Sequence, residues 1–256
     1  MTARWLHRIT LALMLGLSAL AGAVPPAHAN SLCVNIGGTG GCFGSIAAAI
    51  SAAGSGDSIQ MAGGSPYLEN LTIAKSLTLV GDSAATTVID GASLGQVLRI
   101  TGTITVNLTN LTIRHGKGGS GDTQDNWGGG IHNVGATLTL NNVVVTFNQT
   151  GGDNTCCAGS GGGIYSQLAV LTLNHSTVSF NSTASPGTNN TLGGHGYNGG
   201  NGGGIFNDGG SVIVNDSLIQ GNVTGSGSDG ANSGGFGGFG GGVDSYSAGA
   251  HDAQDW

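Results

Sequence analysis

Apolar positions in the middle of this chain recur in blocks. With Val97, Ile131, Ile164 and Ile205 set as position zero, apolar residues stand seven on at Ile104, Leu138, Leu171 and Val212. They return nine on at Val106, Leu140, Leu173 and Val214, and fourteen on at Leu111, Val145, Val178 and Ile219. Asparagine recurs ten on (Asn107, Asn141, Asn174, Asn215) and seventeen on (Asn148, Asn181, Asn222). Inside a block the apolar residues alternate with polar ones such as Thr139 and Thr146, which is the period of a strand and excludes a helix. Each block therefore predicts three short strands, in the second block at Gly128 to Asn133, Thr137 to Leu140 and Val144 to Phe147. Equal offsets without gaps predict that the blocks stack as coils of an all-β fold, a single-stranded right-handed parallel β-helix, with coils about 4.8 Å apart. Aliphatic ladders then fill the interior, and stacked Asn side chains hydrogen-bond from coil to coil.

Upstream, Ser45 to Ala53 is Ala-rich with Ile46 and Ile50 four apart and Gly54 as a stop, which predicts a short N-terminal helix capping the first coil. Strands are expected at Ser58 to Ala62, Leu71 to Ile73, Leu77 to Val80 and Thr87 to Ile89. Residues 30–96 thus read as cap and first coils, and 97–243 as repeats joined by Gly-rich loops. Beyond Val243, ladder positions seven and nine fall on Ala250 and Asp252, and aspartate cannot fill a core. Residues 244–256 are accordingly expected to be the irregular, truncated end of a longer surface protein.

Glycine makes up 52 of the 256 residues, yet the regular apolar set argues for a packed solenoid over a disordered tract. Residues 1–29 read as a secretory signal peptide, with Arg4 and Arg8 before an apolar stretch and Ala27-His28-Ala29 at the cleavage site. The expected location is secreted or cell-surface, with no transmembrane segment in the mature chain. After cleavage four Lys and Arg face thirteen Asp and Glu, which excludes nucleic acid as a partner. Cys33 and Cys42 flank a glycine-rich loop and are expected to form a disulfide, since pairing with Cys156 or Cys157 would have to bridge several coils. The neighbours Cys156 and Cys157 read equally as a vicinal disulfide, an intermolecular link or two free thiols.

The run from Gly44 to Gly91, GSIAAAISAAGSGDSIQMAGGSPYLENLTIAKSLTLVGDSAATTVIDG, resembles the opening of right-handed parallel β-helix proteins of the pectin-lyase-like superfamily. The GGGI, GGGI, GGGI and GGGV starts at Gly128, Gly161, Gly202 and Gly240 resemble bacterial surface proteins, including polymorphic outer-membrane protein repeats. Those repeats carry F-x-x-N, whereas Phe147-Asn148 and Phe180-Asn181 are adjacent here. The resemblance implies the β-helix fold and raises the question of pectinase-type catalysis. A polygalacturonase-like hydrolase needs paired carboxylates, and this chain has no Asp-Asp pair, although Gly194-His195-Gly196 matches that family's G-H-G. A lyase-like mechanism needs a calcium cluster and a basic arginine, and Arg99 and Arg114 are expected in strand-like stretches without an acidic neighbour. No catalytic residue and no cofactor are assigned; Asp122 and Asp125 are the candidates for a bound calcium.

Two features carry candidate binding. The position after each position zero should face outward, which stacks Leu98, His132, Tyr165 and Phe206 on successive coils as an aromatic strip of the kind that sugars cover with their C–H faces. A neighbouring loop that covered the strip would leave it structural. The Gly-rich loops all leave one corner of the coil and carry Trp127, His195 and Tyr197. The function expected is an exported, non-catalytic surface or adhesin-type β-helix that binds a glycan or cell-surface protein. The alternatives are a carbohydrate-active lyase or hydrolase, and a structural spacer.

Overall fold

The computed structural model describes residues 29–119, 126–152, 158–187, 194–247 and 250–252. The signal-peptide segment up to His28, the aspartates Asp122 and Asp125, and the cysteines Cys156 and Cys157 fall outside these residues. No helix among the described residues is long and apolar enough to cross a membrane.

The strands form three sheets, each built by stacking equivalent segments of successive coils. The first sheet joins β1 (Ser31–Val34), β2 (Ser58–Met61), β5 (Leu77–Gly81), β8 (Thr105–Thr109), β11 (Thr137–Asn141), β14 (Val170–Asn174) and β17 (Ser211–Asn215) in that order. The second joins β4 (Leu71–Ile73), β7 (Leu98–Thr101), β10 (Ile131–Val134), β13 (Ile164–Gln167), β16 (Ile205–Asp208) and β19 (Val243–Ser247). The third joins β3 (Tyr67–Leu68), β6 (Val88–Asp90), β9 (Thr112–Arg114), β12 (Val144–Thr146), β15 (Thr177–Ser179) and β18 (Leu218–Gln220). All these pairings are parallel, so the chain is a parallel β-helix, with the right-handed crossover general to parallel connections. Past β19 the chain turns back, and β20 (Ala250–Asp252) pairs antiparallel with β19 instead of adding a rung to the first sheet.

The three later blocks stack in the expected register. Ile131, Ile164 and Ile205 are aligned and fully buried, as are the neighbours Leu138 with Leu171 and Leu140 with Leu173. The first block does not follow the gapless alignment. Ile131 pairs with Leu98 and not Val97, Leu138 with Val106 and not Ile104, Val145 with Ile113 and not Leu111, and Asn141 with Thr109 and not Asn107. Its first turn is one residue longer and passes through Gly102 at φ +102°, and apolar residues at both candidate positions hid the slip. Because side chains alternate faces, a one-residue slip exchanges inside for outside. The residue beside His132 is therefore Arg99, and Leu98 belongs to the core.

The helix forms as α1 (Ile46–Ala52). Ser45 caps it by accepting the Ala48 N–H, the Glu69 carboxylate takes the N–H groups of Ile46 and Ala47, and Lys75 Nζ donates to the carbonyls of Ile50 and Ala53. Opposite charges thus sit at the two ends where a helix leaves backbone groups unpaired. Its buried face, Ile46, Ala49 and Ile50, closes the first coil. Cys33 and Cys42 are bonded, with Cα atoms 4.7 Å apart.

Both Asn ladders exist in the later coils. On the surface, Asn174 donates to Asn141 at 2.8 Å and Asn215 to Asn174 at 2.9 Å. The second ladder is inside. Asn148 Nδ2 donates to Asn181 Oδ1 at 3.0 Å and Asn181 Nδ2 to Asn222 Oδ1 at 2.9 Å. The same amides also donate to the carbonyls of Ile113, Val145 and Val178, and their oxygens accept the backbone N–H groups of Gly116, Asn148 and Asn181. These groups lie where each third-sheet strand breaks off, so the ladder satisfies buried polar atoms that would otherwise be orphaned.

Candidate functional site

The Gly-rich loops run from the third sheet back to the second, and each begins at an unusual corner. His115, Phe147 and Phe180 have φ of +51°, +53° and +53°, and the fourth coil has Gly221 at +61°. The corner turns the backbone so that the next residue, Asn148, Asn181 or Asn222, can enter the buried ladder. This left-handed conformation costs a non-glycine residue about 1–2 kcal/mol. It also throws the rings outward: Phe147 is 57% and Phe180 53% exposed, stacked with centroids 5.5 Å apart, and His115 lies 6.4 Å from Phe147. An aromatic pair returns about 0.5–1.5 kcal/mol, less than the two left-handed phenylalanines cost together, and the hydrogen bonds of the buried Asn ladder are what hold the corner in place.

Burial alternates after the corner. Phe147 faces out, Asn148 in, Gln149 out and Thr150 in, and Phe180 to Thr183 follow the same order. Lys117, Gln149, Ser182 and Val223 are tied coil to coil by parallel bridges. They form a second row beside the rings. A groove of about 570 Å³ opens along this row, lined among others by Lys117, Gln149, Ser182, Thr183, Ser185 and Thr224, with no carboxylate among the described residues of its wall. Amides, hydroxyls and one exposed ammonium make it a surface of hydrogen-bond donors and acceptors on a chain that is acidic overall.

At the N-terminal side of the ridge, Asp90 Oδ2 accepts from Arg114 Nε at 2.8 Å and contacts His115 Nδ1 at 2.9 Å, while Asp90 Oδ1 accepts the Ala92 N–H. Arg114 therefore does have an acidic neighbour, contrary to the expectation from sequence, because stacking brings Asp90 from the preceding coil beside it. Burial pushes the Asp90 carboxyl up, but the Ala92 N–H, Arg114 and His115 together hold it below the ordinary carboxylate value. Among the described residues no three His, Cys, Asp or Glu side chains converge into a cation site.

The strip expected from sequence is stacked but covered. His132 and Tyr165 lie 5.2 Å apart, Tyr165 and Phe206 5.8 Å, all near-parallel, and Trp127 from the loop packs 4.8 Å from Tyr165. His132 is fully buried and Tyr165 is 1% exposed, leaving Phe206 half-buried. Rings on successive rungs of a parallel sheet lie face to face, so the faces a sugar would cover are taken by the neighbouring rings. The Tyr165 hydroxyl donates to Asp208 at 2.9 Å, and burial together with that carboxylate pushes the phenol well up, so it keeps its proton. His195 and Tyr197 sit on the loop pair 194–200 and 228–236 instead of on the strand that carries the stack. His195 Nδ1 meets Ser233 Oγ at 2.8 Å, and the Tyr197 backbone N–H donates to Ser228 Oγ. The Phe-Asn dipeptides, present in the sequence as a departure from F-x-x-N, were the available signal for the exposed ridge.

No protein-family model and no curated protein matches this chain. Among solved structures it is similar to a pectin methylesterase variant crystallised with a hexasaccharide, over 88% of this chain and 91% of that one, at 14% identity and a TM-score of 0.41. At that level of overlap the likeness carries no argument, and the fold assignment rests on the strand pairing itself.

Proposed function

We propose that this chain is an exported surface or adhesin-type β-helix that binds a glycan without catalysis, through the face formed by its Gly-rich loops. The observation that carries the reading is the polar groove along Lys117, Gln149 and Ser182, lined by amides, hydroxyls and an ammonium on the face where the loops leave the coils. Glycans present dense hydroxyls, which converging donors and acceptors of this kind bind. The covered strip of His132, Tyr165 and Phe206 serves in this reading as packing beneath the loops.

The deciding experiment applies the refolded chain without residues 1–29 to a glycan array, beside an assay for new reducing ends and unsaturated uronate. Specific binding that is lost in Gln149→Ala with Ser182→Ala, and no bond cleavage, is the expected result. Turnover lost on His195→Ala would overturn the non-catalytic part, and an array without binders would overturn the glycan part.

A further inference from the structure

In the repeats, the first sheet is the one that the Gly-rich loops do not border, since they run from the third sheet back to the second. Short turns such as Gly135–Ala136 and Asn142–Val143 bound it. None of its seven strands contains a charged residue, whereas the second sheet carries Arg99 and Asp208 and the third Asp90 and Arg114.

Outward side chains on this sheet stand in straight rows, because the register runs without offset from β5 to β17. One row is Thr105, Thr137, Val170 and Ser211, all of them exposed. Beside it runs Thr78, Asn107, Thr139 and Thr172, each half-buried by its neighbours on the sheet. The third row is the surface Asn ladder, whose amides are fixed from coil to coil by hydrogen bonds of 2.8 and 2.9 Å. Threonine's branched Cβ restricts χ1, so its hydroxyl and methyl are also held at set positions. The result is a two-dimensional array with a period of about 4.8 Å across the strands and about 6.6 Å between alternate residues along them.

A ligand that matches such a face is uncharged, flat, dense in hydrogen-bonding groups and periodic in both directions. A single extended chain molecule can match only one of the two periods. Ice matches both, since oxygen atoms on its prism faces repeat at nearly these spacings. We propose that the outer face of the first sheet binds ice. Hydroxyls and amides hold a layer of water at lattice positions, while methyl groups of the threonines, Val170 and Ile213 fill the spaces between. A charged side chain in this array would impose its own hydration shell and break the lattice. The proposal concerns a different face from the loop groove and stands independently of the glycan reading.

The test has two readouts: the gap between melting and freezing points of a single ice crystal in a solution of the protein, and capture of the protein into slowly grown ice beside an albumin control. A gap that widens with concentration, together with enrichment in the ice, is expected. Thr137→Lys and Thr172→Lys place a long charged side chain on the face without entering the core, so each should abolish both readouts and leave the circular dichroism spectrum unchanged. Thr177→Lys, on the outward side of the third sheet, should retain both. Absence of both readouts in the unaltered protein, or activity that survives both first-sheet variants, would overturn the proposal. It would equally be overturned if this face bound crystalline cellulose or chitin without ice activity, or if sedimentation showed a dimer that either first-sheet variant splits.

Discussion

Replacing Asn181 by alanine tests whether the buried ladder holds the coils together. Asn181 is 1% exposed and central to the run: its oxygen accepts both the backbone N–H and the side-chain amide of Asn148 at 3.0 Å, and its amide donates to Val145 O at 3.0 Å and Asn222 Oδ1 at 2.9 Å. Alanine leaves the buried Asn148 N–H without its acceptor and strips the Val145 carbonyl of its amide donor. A buried orphan costs about 1–3 kcal/mol, so the variant should lose about 2–4 kcal/mol, allowing for Asn148 Nδ2 keeping Ile113 O. The control is Asn215→Ala in the surface ladder, where one exposed bond at 2.9 Å is lost and water replaces it, for a cost under about 1 kcal/mol. Urea unfolding followed by circular dichroism gives both numbers. If the two variants lose the same stability within about 0.5 kcal/mol, the ladder is incidental to fold stability and the reasoning fails.

Further outcomes are expected. Leu173→Asp places an unpaired charge in a fully buried ladder and should prevent accumulation of folded protein, read as loss of the β-sheet spectrum. Because the Asp90 carboxyl is lowered in the fold, its contribution is present above the unfolded value near about pH 4 and is lost as pH falls through the lower folded value. Asp90→Asn should therefore flatten acid unfolding in that window, and an unchanged profile would refute it. Glu69→Gln weakens the charge at the α1 N-terminus and should cost about 0.5–1 kcal/mol in thermal unfolding. Reduction of Cys33–Cys42, checked by non-reducing peptide mapping, should lower stability by up to about 3 kcal/mol without separating the later coils.

The fold was legible because a solenoid repeats its instructions: three blocks gave register and both ladders from offsets alone, and two of them the buried core, whereas in the last block Val214 is 45% exposed because β17 and β18 end their sheets. It failed for the first block, where Val97 beside Leu98 and Leu111 beside Ile113 offer apolar residues to either register, and backbone pairing with β4 decides between them. The candidate face was less legible. Period-two reasoning correctly turned His132 and Tyr165 away from the interior, but a sequence does not say where a long loop returns. Phe147 and Phe180 were read as strand ends, since the left-handed corner that exposes them follows from the demands of the following asparagine and not from phenylalanine's own preference.

The interior changes character along the axis. One inward ladder reads Ile73, Ile100, Asn133, Ser166, Asn207 and Ser245, aliphatic in the early coils and polar afterwards. Asn133, Ser166 and Asn207 put amides and a hydroxyl where the early coils have aliphatic side chains, so these rungs bury less apolar surface. In a stack whose units touch only their neighbours, such a gradient makes unfolding directional. Under load or denaturant the later coils should peel away one at a time, while the early coils, sealed by α1 and cross-linked by Cys33–Cys42, persist as a seed on which the rest can rewind.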